Sequence, residues 1–436
     1  MRKVIILRET PGGTLRTREL QEAIDRCAEE GGGQVRLTAG LYLSGTVYLK
    51  SGVELYLDAG AVLRGSPDRK DYSNRCPRPT KVEGVPHWYN ALIAATDARD
   101  VGILGEGVLD GADCPDPEGE QGFRGPHTVF FFGCENIRVE GVTLVRSACY
   151  HLMFECCRKI RVRGVSIHGG QDGFRFGECE DAEIRECDVR SGDDCIGGSG
   201  NRDVRIYDTA LNTPGGSVLQ FSSRGLHVKN CVFWGPGLYP AVFKEDKRYS
   251  VPYAAVCAGL DYEYARGEES DDWLFEDVDF ENAELLFRWE KDLYGRKNIP
   301  LHHVTFDRVR AVNLALPSVI DAAEGDPLEI SIRNSEFTRA EEDPRGEGLF
   351  LKGRNFRSLR MENVALRGFK EDPLALENVG QVELKDVRRE AVGTETCLPR
   401  EVIPGGGISL MKPAEAGEEF RGPLTWVPRP KRAPRA

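Results

Sequence analysis

The clearest pattern in the chain is an alternation of apolar and polar residues that recurs along its middle third. Five segments carry the alternation, and they begin at Cys134, Cys157, Cys179, Asn201 and Ser223, with 23, 22, 22 and 22 residues between successive starts. Alternation with a period of two predicts short β-strands. A repeat of fixed length indicates stacked units, none of which can bury its apolar face alone.

Two kinds of solenoid have a period near this length. Leucine-rich repeats need a Leu-x-x-Leu-x-Leu-x-x-Asn frame with a helical half, and this chain has neither. Weaker copies of the strand pattern continue to about residue 390. The pattern therefore predicts an all-β fold, a right-handed single-stranded parallel β-helix with three short strands per coil.

The predicted solenoid divides the chain into a cap, a body and a tail. An amphipathic helix starting at Thr17 and ending before three consecutive glycines at 31–33 would cover the open end of the stack, where strand edges would otherwise be exposed. We predict a strand and capping helix over 1–33 and the β-helix domain over 34–400. Within that domain, 235–272 is predicted to be an inserted loop over the groove, and 401–436 a proline-rich, basic C-terminal tail.

Composition excludes several partners. The chain has 58 Lys and Arg against 70 Asp and Glu and no long basic run before its last ten residues, so we expect no nucleic-acid partner. The first residues contain too short an apolar run for a signal peptide or a membrane span, so we expect a cytoplasmic protein without a membrane partner. Thirteen cysteines, an odd number in strand-like surroundings, favour reduced buried thiols. The oligomeric state has no signal in the sequence.

Three aspartates are the candidate catalytic residues. Asp172 and Asp194 are one period apart, so they should lie on neighbouring coils separated by about 4.8 Å, with Asp193 beside them. Glycoside hydrolysis needs one protonated carboxyl and one ionised carboxylate, and crowding raises one of the pKa values. Spacing alone leaves two other readings open, because aspartates beside glycines are also ordinary turn residues or Ca²⁺ ligands.

These segments resemble the polygalacturonase-like family 28 of glycoside hydrolases, whose fold is the pectin-lyase-like right-handed parallel β-helix. The resemblance starts at LQEAIDRCAEEGGGQVRLTAG, includes GILGEGVLDG, and extends to about residue 235. The family's Asn-Thr-Asp-Gly motif is matched in part by 170–173, and its Gly-Asp-Asp motif is matched fully by 192–194. The resemblance implies an inverting hydrolase without a cofactor or metal, in which Asp193 is the general acid while Asp172 and Asp194 position and deprotonate water.

The chain departs from the family pattern at two places. The family's Gly-His-Gly is replaced by Pro-Gly-Gly-Ser at 214–217, so the histidine is missing, and the Arg-x-Lys that grips the substrate carboxylate has no clean match. His151, one coil before Asp172, could replace the missing imidazole, or it could be a structural ring. The candidate substrate-binding residues are His151, Gln171, Arg175, Lys244, Arg288 and Lys291.

The resulting hypothesis is a glycosidase that acts on a carbohydrate substrate. We expect an inverting enzyme that cleaves chain ends or oligosaccharides of a pectic or related type, galacturonide or rhamnogalacturonan, because polymers do not enter cells. The loop over 235–272 could close one end of the groove. Two alternatives stay open at this point: a uronate-polysaccharide lyase or epimerase, which would need a base with a cation or Ca²⁺, and a non-catalytic carbohydrate-binding β-helix.

Overall fold

The computed structural model describes residues 3–9, 13–80, 82, 84–240, 251–259, 269–293, 296–340 and 347–390. One α-helix, α1, spans Thr17–Glu29, and two 3₁₀ turns lie at Arg69–Asp71 and Glu120–Gly122. The strands are, in chain order, β1 Lys3–Leu7, β2 Gly33–Leu37, β3 Gly40–Ser44, β4 Val47–Tyr48, β5 Val53–Leu57, β6 Ala61–Gly65, β7 Ala91–Thr96, β8 Arg99–Gly105, β9 Val108–Asp110, β10 His127–Phe132, β11 Glu135–Glu140, β12 Thr143–Val145, β13 Leu152–Glu155, β14 Arg158–Arg163, β15 Ser166–His168, β16 Phe174–Gly177, β17 Glu180–Arg185, β18 Asp188–Arg190, β19 Ile196–Tyr207, β20 Ala210–Asn212, β21 Ser217–Lys229, β22 Val232–Trp234, β23 Ala254–Ala258, β24 Asp271–Glu276, β25 Asp279–Glu281, β26 Leu285–Glu290, β27 Asp292–Leu293, β28 Arg296–Lys297, β29 His303–Asp307, β30 Arg310–Leu314, β31 Ser318–Arg339, β32 Leu351–Arg367, β33 Leu374–Glu377 and β34 Gln381–Glu390.

The strands form three parallel ladders, one for each side of the coil. The first ladder includes β2, β5, β8, β11, β14 and β17, the second β3, β6, β9, β12, β15 and β18, and the third β7, β10, β13 and β16. Four long strands, β19, β21, β31 and β32, bend from the third ladder into the first. The antiparallel pair β27–β28 is a short hairpin outside this stack. The predicted right-handed parallel β-helix is confirmed.

The interior is held together by identical positions on successive coils. The rings of Phe131, Phe154 and Phe176 stack with centroid separations of 5.6 and 5.1 Å. Beside them the free thiols of Cys134, Cys157 and Cys179 are buried. Burying a phenylalanine side chain contributes about 1.5–3 kcal/mol relative to leaving it exposed. The apolar alternation in the sequence therefore builds one continuous core.

The helix α1 covers the N-terminal end of this core with Leu20, Ala23, Ile24 and Cys27. The predicted capping helix is thus confirmed. The strand β1 pairs in parallel with β2, so it already belongs to the first ladder. The domain boundary at residue 33 stays a prediction.

Long insertions are concentrated between the second and third ladders. Among the described residues, 66–80, 84–90, 111–126, 235–240 and 251–253 leave the coil there. The predicted loop over 235–272 is wrong in part, because the apolar run of β23 forms a buried strand of the third ladder within it. Residues 241–250 and 260–268 of that loop, and the predicted tail at 401–436, lie outside the described residues. No helix in the described part of the chain is long and apolar enough to cross a membrane.

Candidate active site

The turns that carry the three aspartates stack directly on one another. Asp172 lies between β15 and β16, and Asp193 and Asp194 lie between β18 and β19. The amide of Gly173 donates to the carbonyl oxygen of Asp194 at 2.9 Å, which joins the two turns in register. One carboxylate oxygen from each aspartate lies within 4.8 Å of the other two. The structure therefore brings the predicted carboxylates together.

The next coil approaches this cluster with its backbone. A Cβ atom at Gly216 would lie 2.6 Å from Oδ1 of Asp193 and 2.6 Å from Oδ1 of Asp194, closer than real Cβ contacts. The amide of Ser217 donates to Oδ1 of Asp194 at 2.6 Å. The position one coil beyond the aspartates is thus filled by backbone donors and carboxylates, and it has no room for an imidazole.

A buried arginine bridges two of the three carboxylates. Arg124 belongs to the insertion 111–126, and its Nη1 donates to Oδ2 of Asp172 while its Nη2 donates to Oδ2 of Asp193 at 2.6 Å. Its Nε donates to Oε1 of Gln121 at 3.3 Å. Only 4% of the Arg124 side chain is exposed, so both ion pairs are shielded from water.

The electrostatics of the cluster favour retention of a proton. Burial and the charge of Asp172 raise the pKa of Asp193 to about 7, although Arg124 opposes the shift. Burial and the charges of Asp193 and Asp172 raise the pKa of Asp194 well above its usual range. Burial lowers the pKa of Arg124, but Asp172 and Asp193 outweigh it and keep the guanidinium charged. At neutral pH the raised pKa values of Asp193 and Asp194 therefore leave the cluster with a proton to donate.

A cavity of about 350 Å³ opens beside the aspartates. The insertion 111–126 lines it through Asp113 and Phe123. Residues 235–240 line it through Tyr239, which packs over Gly169 in the turn that leads to Asp172. Gln171 also lines it, and its Oε1 is buried without a hydrogen-bond partner among the described residues. Two insertions from distant parts of the chain therefore line one cavity.

His151 is placed one coil before Asp172, as its register predicts, but its ring is fully buried. Its Nδ1 lies 2.8 Å from the carbonyl oxygen of Asp172, and its Nε2 accepts the amide of Ser147 at 3.4 Å. Burial lowers the pKa of His151 to about 4. The prediction that His151 contacts substrate is therefore wrong, because both ring nitrogens bind backbone and hold the turn of Asp172.

Arg175 lies on the outward side of β16 with 13% of its side chain exposed. Its Nε is 3.5 Å from Oε1 of the buried Glu155, and its guanidinium lies 5.7 Å from the ring centre of Tyr150. Glu155 therefore offsets the charge of Arg175. Substrate contact by Arg175 and by Gln171 stays a prediction.

The basic candidates further along the chain lie on a later coil. Arg288 is on β26, the third coil after Asp194 and so about 14 Å along the stack, where its Nη2 donates to Oε2 of Glu290 at 2.8 Å. Lys291 follows the end of that strand, and its charge lowers the pKa of Asp321 after the larger effect of Arg354. Substrate contact by Arg288 and Lys291 stays a prediction. Lys244 lies outside the described residues.

Reasoning from the sequence missed Arg124 and Tyr239. Neither falls at a repeat position, because both belong to insertions between the second and third ladders. The only signal was the interruption of the period, which marks insertions but does not say where their side chains reach.

Fold and cluster together define a parallel β-helix protein with three clustered carboxyl groups beside a cavity. Residues 79–228, which include all three aspartates, match the sequence model of glycosyl hydrolases family 28. This part of the chain is therefore similar to that family, in agreement with the resemblance of its motifs.

The relatives span part of the chain. A probable polygalacturonase of Vitis vinifera is 28% identical over 42% of this chain and 41% of its own length. An endo-polygalacturonase of Pectobacterium carotovorum is 24% identical over 48% of this chain and 59% of its own length. The chain thus covers only about half the length of these curated relatives.

Solved structures support the fold. A hyperthermoactive exopolygalacturonase from Thermotoga maritima has a TM-score of 0.62 at 19% identity and covers 84% of this chain and 93% of its own. A family 28 exopolygalacturonase from Yersinia enterocolitica has a TM-score of 0.54 at 18% identity, covering 88% of this chain and 78% of its own. At this identity the likeness concerns the β-helix itself.

Proposed function

We propose that the protein is a glycosidase that hydrolyses O-glycosyl bonds in a pectic or related oligosaccharide. The observation that carries the proposal is the cluster of Asp172, Asp193 and Asp194 beside the cavity, in which burial and neighbouring carboxylates raise the pKa values of Asp193 and Asp194. A raised pKa supplies the proton donor for the leaving oxygen, and an ionised neighbour activates water.

The roles of the three aspartates follow from the resemblance and from their surroundings. Asp193, with a pKa of about 7, is the proposed general acid. Asp172 is the proposed base on the strength of the resemblance, and its carboxylate accepts a hydrogen bond from Arg124. Asp194, which accepts the amide of Ser217, is proposed to orient the water together with Asp172.

The shape of the cavity favours action on chain ends. Phe123 and Tyr239, which come from two different insertions, both line the cavity beside the turn of Asp172. A pocket bounded by two insertions accepts a terminal sugar more readily than the middle of a polymer. The names of the relatives, polygalacturonase and endo-polygalacturonase, support a galacturonide as the first substrate class to test.

The test is digestion of oligogalacturonides of defined length, alongside rhamnogalacturonan oligosaccharides and aryl glycosides, with the products separated by size. We expect loss of one or two sugars per cut from the chain end. A random mixture of internal fragments would contradict end-wise action. No release from any of these glycosides would contradict the proposed activity.

The stereochemical outcome needs its own measurement. One oxygen of each carboxylate lies within 4.8 Å of the others, which is shorter than the separation of about 6.5–9.5 Å typical of inverting carboxylate pairs. Inversion is therefore proposed on the family resemblance rather than on the spacing. Proton NMR of the first product, recorded before mutarotation, distinguishes the two anomers, and retention would contradict the assigned roles.

A metal-dependent lyase or epimerase would respond differently. Arg124 already donates to two of the three carboxylates, so the cluster has a cation of its own. We expect EDTA to leave the rate unchanged.

The cytoplasmic location stays a prediction, to be checked by cell fractionation.

A further inference from the structure

We propose that Arg124 is a positioning residue that holds Asp172 and Asp193 as one pair, and that it sets the pH range in which the cluster can act. This inference rests on the proposed hydrolase function. Arg124 acts through the two carboxylates and needs no contact with substrate.

The geometry supports this role. The two terminal nitrogens of one guanidinium reach different aspartates, on neighbouring coils, so the distance between the two carboxylates is set by a rigid planar group. The backbone on either side is anchored, because the amide of Arg124 donates to Glu120 at 3.1 Å and the amide of Gly125 donates to Ala148 at 3.2 Å. The side chain therefore has little freedom to leave.

The backbone of Asp193 is fixed from other directions. Its carbonyl oxygen accepts the hydroxyl of Ser191 at 2.7 Å and the hydroxyl of Thr213 at 2.6 Å. These bonds place the main chain but do not touch the carboxylate. The side-chain bond from Arg124 therefore acts directly on the orientation and charge state of this carboxylate, together with a backbone bond from Asp194.

The charge balance around the cluster leads to the same conclusion. The titratable or charged groups that face it from the surrounding elements are Glu120, Cys149, Tyr150, His151, Cys195 and Cys257, with Arg175 beyond Tyr150. Burial raises the pKa of Cys149 to about 12 and that of Tyr150 well above its usual range, so both are neutral in the working range. Among the described residues, Arg124 is the cation in hydrogen-bond contact with the carboxylates.

A purely structural role is the competing explanation. In that case Arg124 would only tie the insertion 111–126 to the coils, and its loss would lower the yield of active protein without changing how the remaining sites titrate. The two explanations separate in the pH profile of kcat/KM, which reports the pKa values of the essential groups in the free enzyme.

The experiment compares Arg124→Gln and Arg124→Lys with the wild type across the pH range. Removal of an opposite charge at this distance raises carboxyl pKa values, so both limbs of the Arg124→Gln profile should move upward by about 1–3 pH units. Arg124→Lys keeps the charge, so its limbs should stay near those of the wild type. Its kcat should still fall, because one ammonium cannot replace the planar fork.

Arg190→Gln is the matched control. Arg190 donates two hydrogen bonds to Asp188 on the strand that leads to Asp193, and it does not touch the cluster. The same substitution there should leave both limbs in place. If Arg124→Gln lowers kcat/KM equally at every pH, or if Arg124→Lys keeps the full kcat, the proposal is wrong. If Arg124→Gln does not fold, the Arg124→Lys variant decides alone. A lowered kcat with both limbs of its pH profile in place supports the proposal, and a full kcat contradicts it.

A second readout separates this inference from the proposed activity. Infrared spectroscopy follows the carbonyl band of protonated carboxyls during a pH titration, and the contribution of Asp193 is the part lost in Asp193→Asn. Its midpoint should move upward in Arg124→Gln even if no tested glycoside is cleaved. An unchanged midpoint would contradict the role of Arg124, whereas a shifted midpoint without turnover would contradict only the hydrolase function.

Discussion

Two of the three lines of turns on this solenoid differ in length and in chemistry. Turns from the first ladder to the second are short, and after β11, β14, β17, β19 and β21 they begin with a left-handed residue, such as Gly164 at φ +62°, Asp208 at +53° and Asn230 at +51°. Turns from the second ladder to the third hold the aspartates and the inserted residues 66–80, 84–90, 111–126, 235–240 and 251–253.

The difference shows how a stacked fold separates stability from function. Short turns join paired strands directly, so an insertion there would disturb the register of the ladders. The line between the second and third ladders tolerates insertions, because the inserted residues pack on the outside of the coils while the strands on either side remain paired. Catalytic side chains and pocket walls therefore accumulate on one line of turns.

Replacing one aspartate on each of these two lines of turns should give the largest difference in kcat. Asp193→Asn removes the proposed acid and should lower kcat about 10²–10⁴-fold. Asp208→Asn makes the same change on the short line, where asparagine tolerates the left-handed backbone, and should leave kcat unchanged. Steady-state kinetics of both variants checks this, and equal losses would remove the distinction between the two lines.

Replacing a glycine on each line should separate activity from stability. Gly216→Ala places a Cβ 2.6 Å from the Oδ1 atoms of both Asp193 and Asp194, so these carboxylates must move away. That displacement of the carboxylates should lower kcat about 10²-fold. At Gly164, where the nearest atom would be 4.0 Å away, alanine should lower the free energy of unfolding by about 1 kcal/mol through its left-handed backbone. Kinetics and denaturant unfolding measure the two effects, and a normal kcat in Gly216→Ala would contradict the steric argument.

Tyr239 tests whether the second insertion is part of the sugar site. Tyr239→Ala removes the wall over Gly169 and should raise KM about 10-fold with little change in kcat, equivalent to about 1.4 kcal/mol of binding. Tyr207→Ala, whose ring packs against His227 elsewhere on the solenoid, should leave KM unchanged. A similar rise in both variants would point to general loosening instead.

The smallest effect concerns stability against pH. Because the pKa of Asp193 is raised from 3.8 to about 7 in the folded chain, its protonated form stabilises the fold fully below pH about 4, and that contribution is lost as the pH rises to about 7. Asp193→Asn lacks this titration, so it should lose less stability over the same interval. Thermal unfolding at each pH measures the difference, and parallel curves would contradict the raised pKa.

Several features of the site were predictable because they depend on the repeat. Asp172 lies over Asp194 and Gly216 follows one coil later, since parallel pairing carries the period directly into space. The position of His151 was predicted correctly, yet its exposure was not, because the register says which coil a residue occupies but not what its ring contacts. The strand β23 was missed since its alanines carry no alternation.

The sequence by itself thus determined the solenoid and the stacking of three carboxylates, because a fixed period allows one register in which every apolar face is buried. Only the tertiary structure decided what surrounds them. Arg124 and Tyr239 reach the cluster from insertions whose paths depend on the surface they pack against, and no local pattern encodes that surface. The aspartates first recognised by spacing are therefore a pair bridged by a buried guanidinium, with Asp194 held by the coil that follows.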